Sequence, residues 1–210
     1  LALEGMMAID VVTALIAMGL VFLIQIPQPP KSDHARPTIL SDLRTGFLYI
    51  WHWPSLFAIL LMCAVLNFLF TPAFTLLPLL VLNHFDGNAL TLAWLNTLFG
   101  LGMVMGGAIL GAWGGFKSKM LTAIFGLAVS STGALLIGIA PPDGYWLALV
   151  GLGIFGVFNT IANGGFMALT QAVVAPEMQG RFFTVLMSIV QVMSPIGLLI
   201  AGPVADRFGI

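Results

Sequence analysis

The chain has 210 residues, of which 60% are hydrophobic and only 7% are charged, and its mean hydropathy is +1.07. Because a soluble domain carries about 25% charged residues, this composition excludes a soluble globular protein. The net charge of -1 and the scattered basic residues give no indication of nucleic-acid binding, and the single cysteine, Cys63, excludes a disulfide framework and a cysteine metal site.

Six apolar spans follow one another along the chain, at residues 5–26, 55–82, 89–113, 120–140, 145–174 and 182–203. Each has about the 20 residues that a helix needs to cross a hydrocarbon core of roughly 30 Å. A polar linker, residues 31–44, follows the first span. Residues 45–53 are expected to form a short amphipathic lead-in with Tyr49, Trp51 and Trp53 at the membrane interface. Pro72 and Pro78 predict a kink in the second span.

Lysine and arginine residues indicate the orientation, because cytoplasmic loops are enriched in them. Residues 83–88 and 141–144, where Asp-Gly pairs predict tight turns, hold no basic residue. Residues 176–181 are expected to separate the fifth span from the sixth. The loops after the first, third and fifth spans are predicted to be cytoplasmic, since together they hold Lys31, Arg36, Arg44, Lys117, Lys119 and Arg181.

Glycines recur at three-, four- and five-residue steps through the third span and its exit: Gly102, Gly106, Gly107, Gly111, Gly114 and Gly115. Such a stripe lets a neighbouring backbone come close in lipid, where packing drives helix association. Gly107, Gly111 and Gly115 are therefore predicted packing or gating positions. Trp113 and then Lys117 predict that this helix leaves the hydrocarbon core here.

A family resemblance is carried by the strings IPQPP, DLRTGFLYIW, PAFTLLPLLVLNHFDG, GGAILGAWGGFK, GIAPPDGYW and GRFFTVLMSIVQVMSPIGLLIAGPVADRFG. With the basic linker and the short alternating loops, they resemble the major facilitator superfamily of transporters, and within it the macrolide-efflux branch of the drug:proton antiporters. The resemblance covers essentially the whole chain. It implies an all-α, polytopic membrane helix bundle with the fold of that superfamily, mostly its C-terminal half.

The resemblance also implies an organisation into parts. The six spans correspond to helices 6 to 11 of a twelve-helix fold, with a transmembrane helix in residues 1–26, a cytoplasmic linker in residues 27–54 and a C-terminal bundle in residues 55–210. Leu1 is not an initiator methionine and no cleavable signal pattern follows it. The chain is accordingly expected to be a piece of a longer protein, lacking the N-terminal helices and the last helix.

The superfamily signature G-x-x-x-D-R/K-x-G-R/K has a weakened counterpart at residues 111–119, where Gly115 or Gly114 stands in place of the aspartate. This departure favours close packing and a basic loop, with Lys117, over a charge relay. A closer match, with Asp206 and Arg207, follows the sixth span on the opposite side, as inverted repeats imply. We interpret that pair as stabilising a helix end, in a gating or packing role, with proton movement as the alternative.

Asp10 is the one acidic residue that lies clearly inside a span. An ionisable group there costs roughly 2.5 to 3.5 kcal/mol on insertion scales, which makes a functional role the default hypothesis. Asp10 is thus the proton-coupling candidate. The alternative, an interfacial acid bonded to a neighbour or to water, is favoured because the resemblance places this helix at the periphery.

Polar and aromatic side chains inside the spans predict a substrate cavity. Asn159, Asn163 and Phe166 share one face of the fifth span, and Ser188 and Gln191 share one face of the sixth. The resemblance implies that these helices line a central cavity, so the predicted substrate-binding residues are Asn67, Phe68, Asn96, Phe158, Asn159, Asn163, Phe166 and Gln191. The alternative is that each amide bonds to a neighbouring helix as structural glue.

The resemblance implies proton-coupled efflux of macrolide-like hydrophobic drugs by alternating access, with Pro195 making the sixth helix easy to bend. It places the protein in the bacterial cytoplasmic membrane, with a lipid bilayer, a hydrophobic drug and a proton gradient as partners and with no cofactor. Transport of another small solute and a non-transporting fragment or structural bundle are the alternatives. An enzyme is disfavoured, because His34, His52 and His84 lie apart without metal or catalytic spacing.

Overall fold

The computed structural model describes residues 11–16, 18–20 and 39–208, and within the last range it leaves the side chains of 39, 40, 204–206 and 208 undescribed. The chain divides into two compact units, Leu1–Pro37 and Thr38–Ile210. In the first unit the described residues are helical, as the first apolar span predicts. Asp10 lies outside the described residues.

The described part of the second unit is built from α-helices and contains no strand. The helices are α1 (Ile39–His52), α2 (Pro54–Thr75), α3 (Leu77–Asn83), α4 (Ala89–Trp113), α5 (Lys119–Gly138), α6 (Tyr145–Val173) and α7 (Pro176–Phe208). Among the described residues, 5 stretches are long and apolar enough to cross a membrane: α2 together with α3, α4, α5, α6 and most of α7. The all-α class and the second to sixth predicted spans are confirmed.

Local signals set both ends of α4. The Asn88 side chain accepts hydrogen bonds from the backbone N–H groups of Leu90 at 2.9 Å and Thr91 at 3.2 Å, which satisfies donors that a helix start leaves free. At the other end Gly114 has a φ of 76°, a left-handed conformation that glycine adopts without strain. The predicted bounds of this span, residues 89–113, are confirmed.

The predicted kink lies between α2 and α3. Pro72 sits inside α2 and has no N–H to donate to the carbonyl of Phe68. The helix ends at Thr75, and a new one begins at Leu77 with Pro78 in its first turn. Proline is tolerated there because the first-turn N–H groups have no helical acceptor.

Two predicted boundaries are wrong. The helix α7 begins at Pro176, inside the stretch expected to separate the last two spans. Pro176 suits a first helical turn, and the Ala175 carbonyl accepts hydrogen bonds from the N–H groups of Met178 at 2.8 Å and Gln179 at 3.1 Å. The helix α1 begins at Ile39, within the predicted linker, because it packs against α7 through contacts that a local pattern does not show.

Glycines let α6 lie directly against two neighbours. On α4, a Cβ atom added at Gly102 would lie 2.5 Å from the Gly153 carbonyl oxygen of α6, and one added at Gly106 would press on the Val157 carbonyl oxygen. On α5, a Cβ atom at Gly133 would lie 2.5 Å from the Gly151 carbonyl oxygen. The backbones of α4, α6 and α5 are therefore in contact, which is how small residues associate helices in lipid.

Two apolar clusters hold the helices at opposite ends of their spans. The first joins α1, the start of α2, the end of α6 and the start of α7, through Ile50, Leu56, Leu60, Val174, Phe182, Val185 and Leu186. The second joins α3, α4 and α6, through Leu77, Val81, Leu95, Ala140, Ala148 and Leu152. Packed against the second cluster, Phe74 of α2 contacts Phe99 of α4 and Phe155 of α6, with ring centroids 5.4 and 5.1 Å away.

Candidate functional site

One face of α7 forms an open groove of about 590 Å³, lined by Phe183, Thr184, Met187, Ser188 and Gln191. Thr184, Met187, Ser188 and Gln191 recur at the spacing of a single helix face. The face therefore combines hydroxyl and amide groups with a phenyl ring and a thioether.

The polar groups of the groove keep free hydrogen-bonding capacity. The Ser188 hydroxyl donates to the Thr184 carbonyl at 2.8 Å, and the Thr184 hydroxyl donates to the Gly180 carbonyl at 2.8 Å. Both oxygens still offer lone pairs outward. The Gln191 amide is exposed and makes no hydrogen bond to another residue in the part of the chain that the structure describes. It can donate and accept.

Pro195 stands one helical turn beyond the groove, inside α7. Because proline has no N–H, the Gln191 carbonyl lacks its usual helical donor. On the other side of the helix, Gly197 packs on α2, where an added Cβ atom would lie 2.8 Å from the Phe68 carbonyl oxygen and 2.9 Å from Pro72 Cγ. The weakened turns of α2 and α7 thus lie against each other.

The two amides of α6 are brought together. The Asn163 side-chain nitrogen donates to the Asn159 carbonyl at 2.8 Å and to Asn159 Oδ1 at 3.0 Å. Asn163 is exposed and Asn159 is half-buried. Phe158 turns to the neighbouring helix, with its ring centroid 5.9 Å from that of Phe125. The Asn159–Asn163 pair is an accessible polar patch, whereas Phe158 packs in part against Phe125.

The other predicted substrate-binding residues are bonded within their own helices or packed. Asn67 is half-buried and donates to the Cys63 carbonyl at 2.9 Å, and exposed Asn96 donates to the Leu92 carbonyl at 3.1 Å. Phe68 is half-buried. Phe166 is also half-buried and packs against the first apolar cluster. Within the described residues, no hydrogen bond joins any of these amides to Gln191, and none of them bonds across to another helix.

The glycine stripe of α4 splits into two faces. Gly102 and Gly106 are buried against α6, whereas a Cβ atom at Gly107 or Gly111 would meet no described atom within 4 Å. Gly115 follows α4 with a φ of 77°, and a Cβ atom there would lie 2.8 Å from Thr122 Oγ1. Close packing within the described chain therefore runs through Gly102, Gly106 and Gly115, and any packing through Gly107 and Gly111 stays a prediction.

Of the predicted charged positions, the described side chains of Lys117 and Arg207 are not among the groove residues. Lys117 is exposed in the loop after α4, and Arg207 is exposed in the last turn of α7. Asp206 lies within α7, but its side chain is among those that the structure leaves undescribed, and Asp10 is outside the described residues. The proposed coupling and gating roles of these residues stay predictions.

Sequence reasoning missed Thr184, Met187 and Phe183 as groove residues, and it missed an ion pair. The Thr184–Ser188–Gln191 spacing was the available signal. The ion pair joins Arg181 Nε of α7 to Asp42 Oδ1 of α1 at 2.7 Å, with both side chains about one-third exposed, at 36% and 33%. It spans residues far apart in the sequence, so no local pattern indicates it.

Because the pair is partly exposed, it contributes little stability. We expect Asp42→Asn and Arg181→Gln each to lower the free energy of unfolding by about 1 kcal/mol or less. A double-mutant cycle in detergent, at low and high salt, measures the coupling, which salt reduces. A coupling of several kcal/mol would contradict the exposed character of the pair.

The described polar and apolar side chains of the α7 groove can recognise a ligand by hydrogen bonds and apolar contact. Within the described residues, no group of three or more His, Cys, Asp or Glu side chains is placed to hold a metal ion. Both described histidines contact backbone carbonyls: His52 Nδ1 lies 2.7 Å from the Leu48 carbonyl of its own helix, and His84 Nε2 lies 2.8 Å from the carbonyl of Ala140, after α5.

Comparison with known proteins gives consistent results. Residues 3–198 match the family model described as Major Facilitator Superfamily. The chain is 30% identical over 212 aligned residues to macrolide efflux protein A of Streptococcus pyogenes, covering 99% of this chain and 52% of that protein. It is 30% identical to macrolide efflux protein A of Enterococcus faecalis, covering 93% of this chain and 61% of that protein.

A further relative is the multidrug efflux pump Tap of Mycolicibacterium fortuitum, which is 27% identical over 86% of this chain and 44% of that protein. No solved structure matches the chain significantly. The chain thus spans about half the length of the curated relatives that it matches. With the family model covering nearly the whole sequence and the helices arranged as described, the chain belongs to the Major Facilitator Superfamily of membrane transporters and is not an enzyme.

Proposed function

We propose that the chain is part of a secondary active transporter that exports macrolide-like hydrophobic drugs across the bacterial cytoplasmic membrane, driven by the proton gradient. The observation that supports this most is the α7 groove, where Thr184, Ser188 and Gln191 alternate with Phe183 and Met187. A large amphipathic molecule needs such a mixture of apolar surface and a few polar groups. Relatives named for macrolide efflux support the substrate class.

Alternating access is the proposed mechanism. Rocking of one bundle against another exposes a central site to each side of the membrane in turn. The break at Leu76, between α2 and α3, and Pro195 in α7 are places where these helices bend at low cost. The contact of Gly197 with Phe68 and Pro72 would couple bending of α7 to bending of α2.

Drug accumulation in intact cells tests this proposal. We expect bacteria that express the full-length protein, in a strain without its own macrolide pumps, to accumulate less radiolabelled erythromycin than cells with empty vector. A protonophore should restore accumulation to the vector level, because it removes the driving force. Equal accumulation with and without the protein would contradict macrolide export, and protonophore-insensitive export would contradict proton coupling.

Asp10 stays the proton-coupling candidate on its sequence position alone. Its placement inside an apolar span makes an ionisable side chain costly unless it has a role or a partner. Full protonophore-sensitive efflux by an Asp10→Asn variant would remove it from the mechanism.

A further inference from the structure

The helix α1 has two faces of different character. Asp42, Gly46 and Ile50 follow one another at four-residue steps on the face that packs against α7. Ile50 is fully buried, and a Cβ atom at Gly46 would lie 2.9 Å from the Arg181 carbonyl oxygen. With the Asp42–Arg181 ion pair at 2.7 Å, these contacts fix the rotation of α1 about its axis.

The opposite face of α1 is exposed and mostly apolar. Arg44, Phe47, Leu48 and Trp51 follow the spacing i, i+3, i+4 and i+7 of a single helix face. The apolar members are 42%, 44% and 59% exposed. Large apolar side chains on a face fixed by packing on the other side need a partner other than water.

The aromatic rings place this face beside the membrane boundary. Phe47 stacks on Trp51 with ring centroids 5.9 Å apart, and Trp51 meets Phe57 edge-on at 5.2 Å. Phe57 lies in the first turn of α2, which together with α3 forms a candidate membrane span, Pro54–Asn83. Tryptophan favours the headgroup level of a bilayer, where its apolar ring and its N–H are both satisfied.

Among the described residues, no acidic side chain pairs with the positive charge on this face. Asp42, the acidic residue of α1, is already paired with Arg181. Arg44 is exposed and makes no ion pair or hydrogen bond to another residue in the described part of the chain. Beside it lies an open groove of about 480 Å³, lined by Ser41, Leu43, Arg44 and Phe47. The Arg44 guanidinium, the Ser41 hydroxyl and the apolar side chains of Leu43 and Phe47 therefore border one shallow, open surface.

We infer that this face of α1 binds an anionic phospholipid, with the headgroup phosphate at Arg44 and Ser41 and the acyl chains along Phe47, Leu48 and Trp51. A guanidinium is suited to phosphate because its N–H groups match two oxygens at once. An apolar face with a basic residue at its edge is the pattern of a helix lying in the membrane interface. Charge complementarity favours an anionic lipid over a zwitterionic one.

Native mass spectrometry of the full-length protein tests the inference. The protein, purified in mild detergent, is equilibrated with equal amounts of phosphatidylglycerol and phosphatidylcholine that have the same acyl chains, and the retained lipids are counted. We expect the wild type to retain phosphatidylglycerol preferentially. Arg44→Gln should lower the phosphatidylglycerol retained about fivefold, since each basic residue near a surface contributes on that order, and Arg44→Lys should keep most of the preference.

Lys119→Gln is the matched control. It removes one positive charge from the first residue of α5, where the lysine donates to the Gly114 carbonyl at 3.2 Å, and it should leave phosphatidylglycerol retention unchanged. Arg44 is exposed, so its replacement leaves the apolar clusters intact. Three outcomes would overturn the inference. Arg44→Gln could retain as much phosphatidylglycerol as the wild type, or Lys119→Gln could lose as much as Arg44→Gln. The wild type could also retain the two lipids equally, which would leave the face to a protein partner.

Discussion

Replacing Gly106 with valine is expected to separate α4 from α6 and to lower the stability of the protein severely. A Cβ atom at Gly106 would press on the Val157 carbonyl oxygen and lie 3.0 Å from Val157 Cα. Backbone atoms cannot swing aside as the end of a flexible side chain does, so the helices must move apart. Overpacking of this kind costs about 1 to 3 kcal/mol or more. Titration of the detergent-purified protein with sodium dodecyl sulfate, followed by circular dichroism, measures the loss.

Gly107→Val provides a matched control one residue away. A Cβ atom at Gly107 would meet no described atom within 4 Å, so this variant should change the unfolding free energy by only about 0.5 kcal/mol. Both variants carry the same helix-propensity change from glycine to valine. Equal destabilisation by the two variants would show that Gly107 packs as closely as Gly106, which the glycine stripe alone predicts.

Filling the α7 groove with a tryptophan at Ser188 is expected to abolish macrolide efflux. Ser188 lies between Thr184 and Gln191 on the groove face, and an indole ring there would fill the groove that we propose for the drug. Every 1.4 kcal/mol of binding free energy lost lowers the affinity for the drug about tenfold. A ring that excludes the drug removes several times that amount, so the efflux rate should fall by much more than tenfold. Accumulation of radiolabelled erythromycin in cells should return to the level of the empty vector.

Leu199→Trp is the control for this result. Leu199 lies on the same helix beyond Pro195, outside the groove, and is 76% exposed. The variant adds the same indole ring and should export the drug like the wild type. Immunoblots of the membrane fraction establish that both variants are inserted at equal levels. Wild-type efflux by Ser188→Trp would remove the groove from the drug path, and loss in both variants would assign the effect to bulk on α7 in general.

The Gly106 variant tests the packing of the helices, and the Ser188 variant tests drug recognition. The contact of Gly106 with Val157 lies between α4 and α6, whereas the groove residues lie on the opposite bundle of α1, α2 and α7. A membrane protein has little hydrophobic driving force between helices, so close backbone packing supplies much of the association. The groove is then free to vary in polarity without loss of the fold.

Local sequence signals were sufficient for most of the helices and for several of their ends. The spans follow from the length of uninterrupted apolar sequence. The ends of α4 follow from Asn88 and Gly114, and the break after Thr75 follows from Pro72 and Pro78. Each of these signals acts through hydrogen bonds or steric clashes within about four residues, so the structure elsewhere in the chain does not alter them.

The site was predicted less completely, because helix rotation is set by neighbours. Gln191 lies in the α7 groove, but Thr184 and Met187 carry no signal by themselves in an apolar helix. Phe166 packs against the first apolar cluster. Substrate binding by Gln191 and Phe166 stays a prediction. A sequence places polar residues on a shared face, but it does not say whether that face meets another helix or open space.

Composition, the length of the apolar runs and local turn chemistry were enough to predict the class of protein and the number of its later spans, and the resemblance of several sequence strings indicated the family. The tertiary structure alone decided that Gly106 rather than Gly107 contacts α6, that α1 extends back to Ile39 and is joined to α7 by the Asp42–Arg181 ion pair, and that Arg44 faces outward. The physical reason is the same in each case. Adjacent residues on a helix point about 100° apart, and only packing between distant segments fixes which of them is buried.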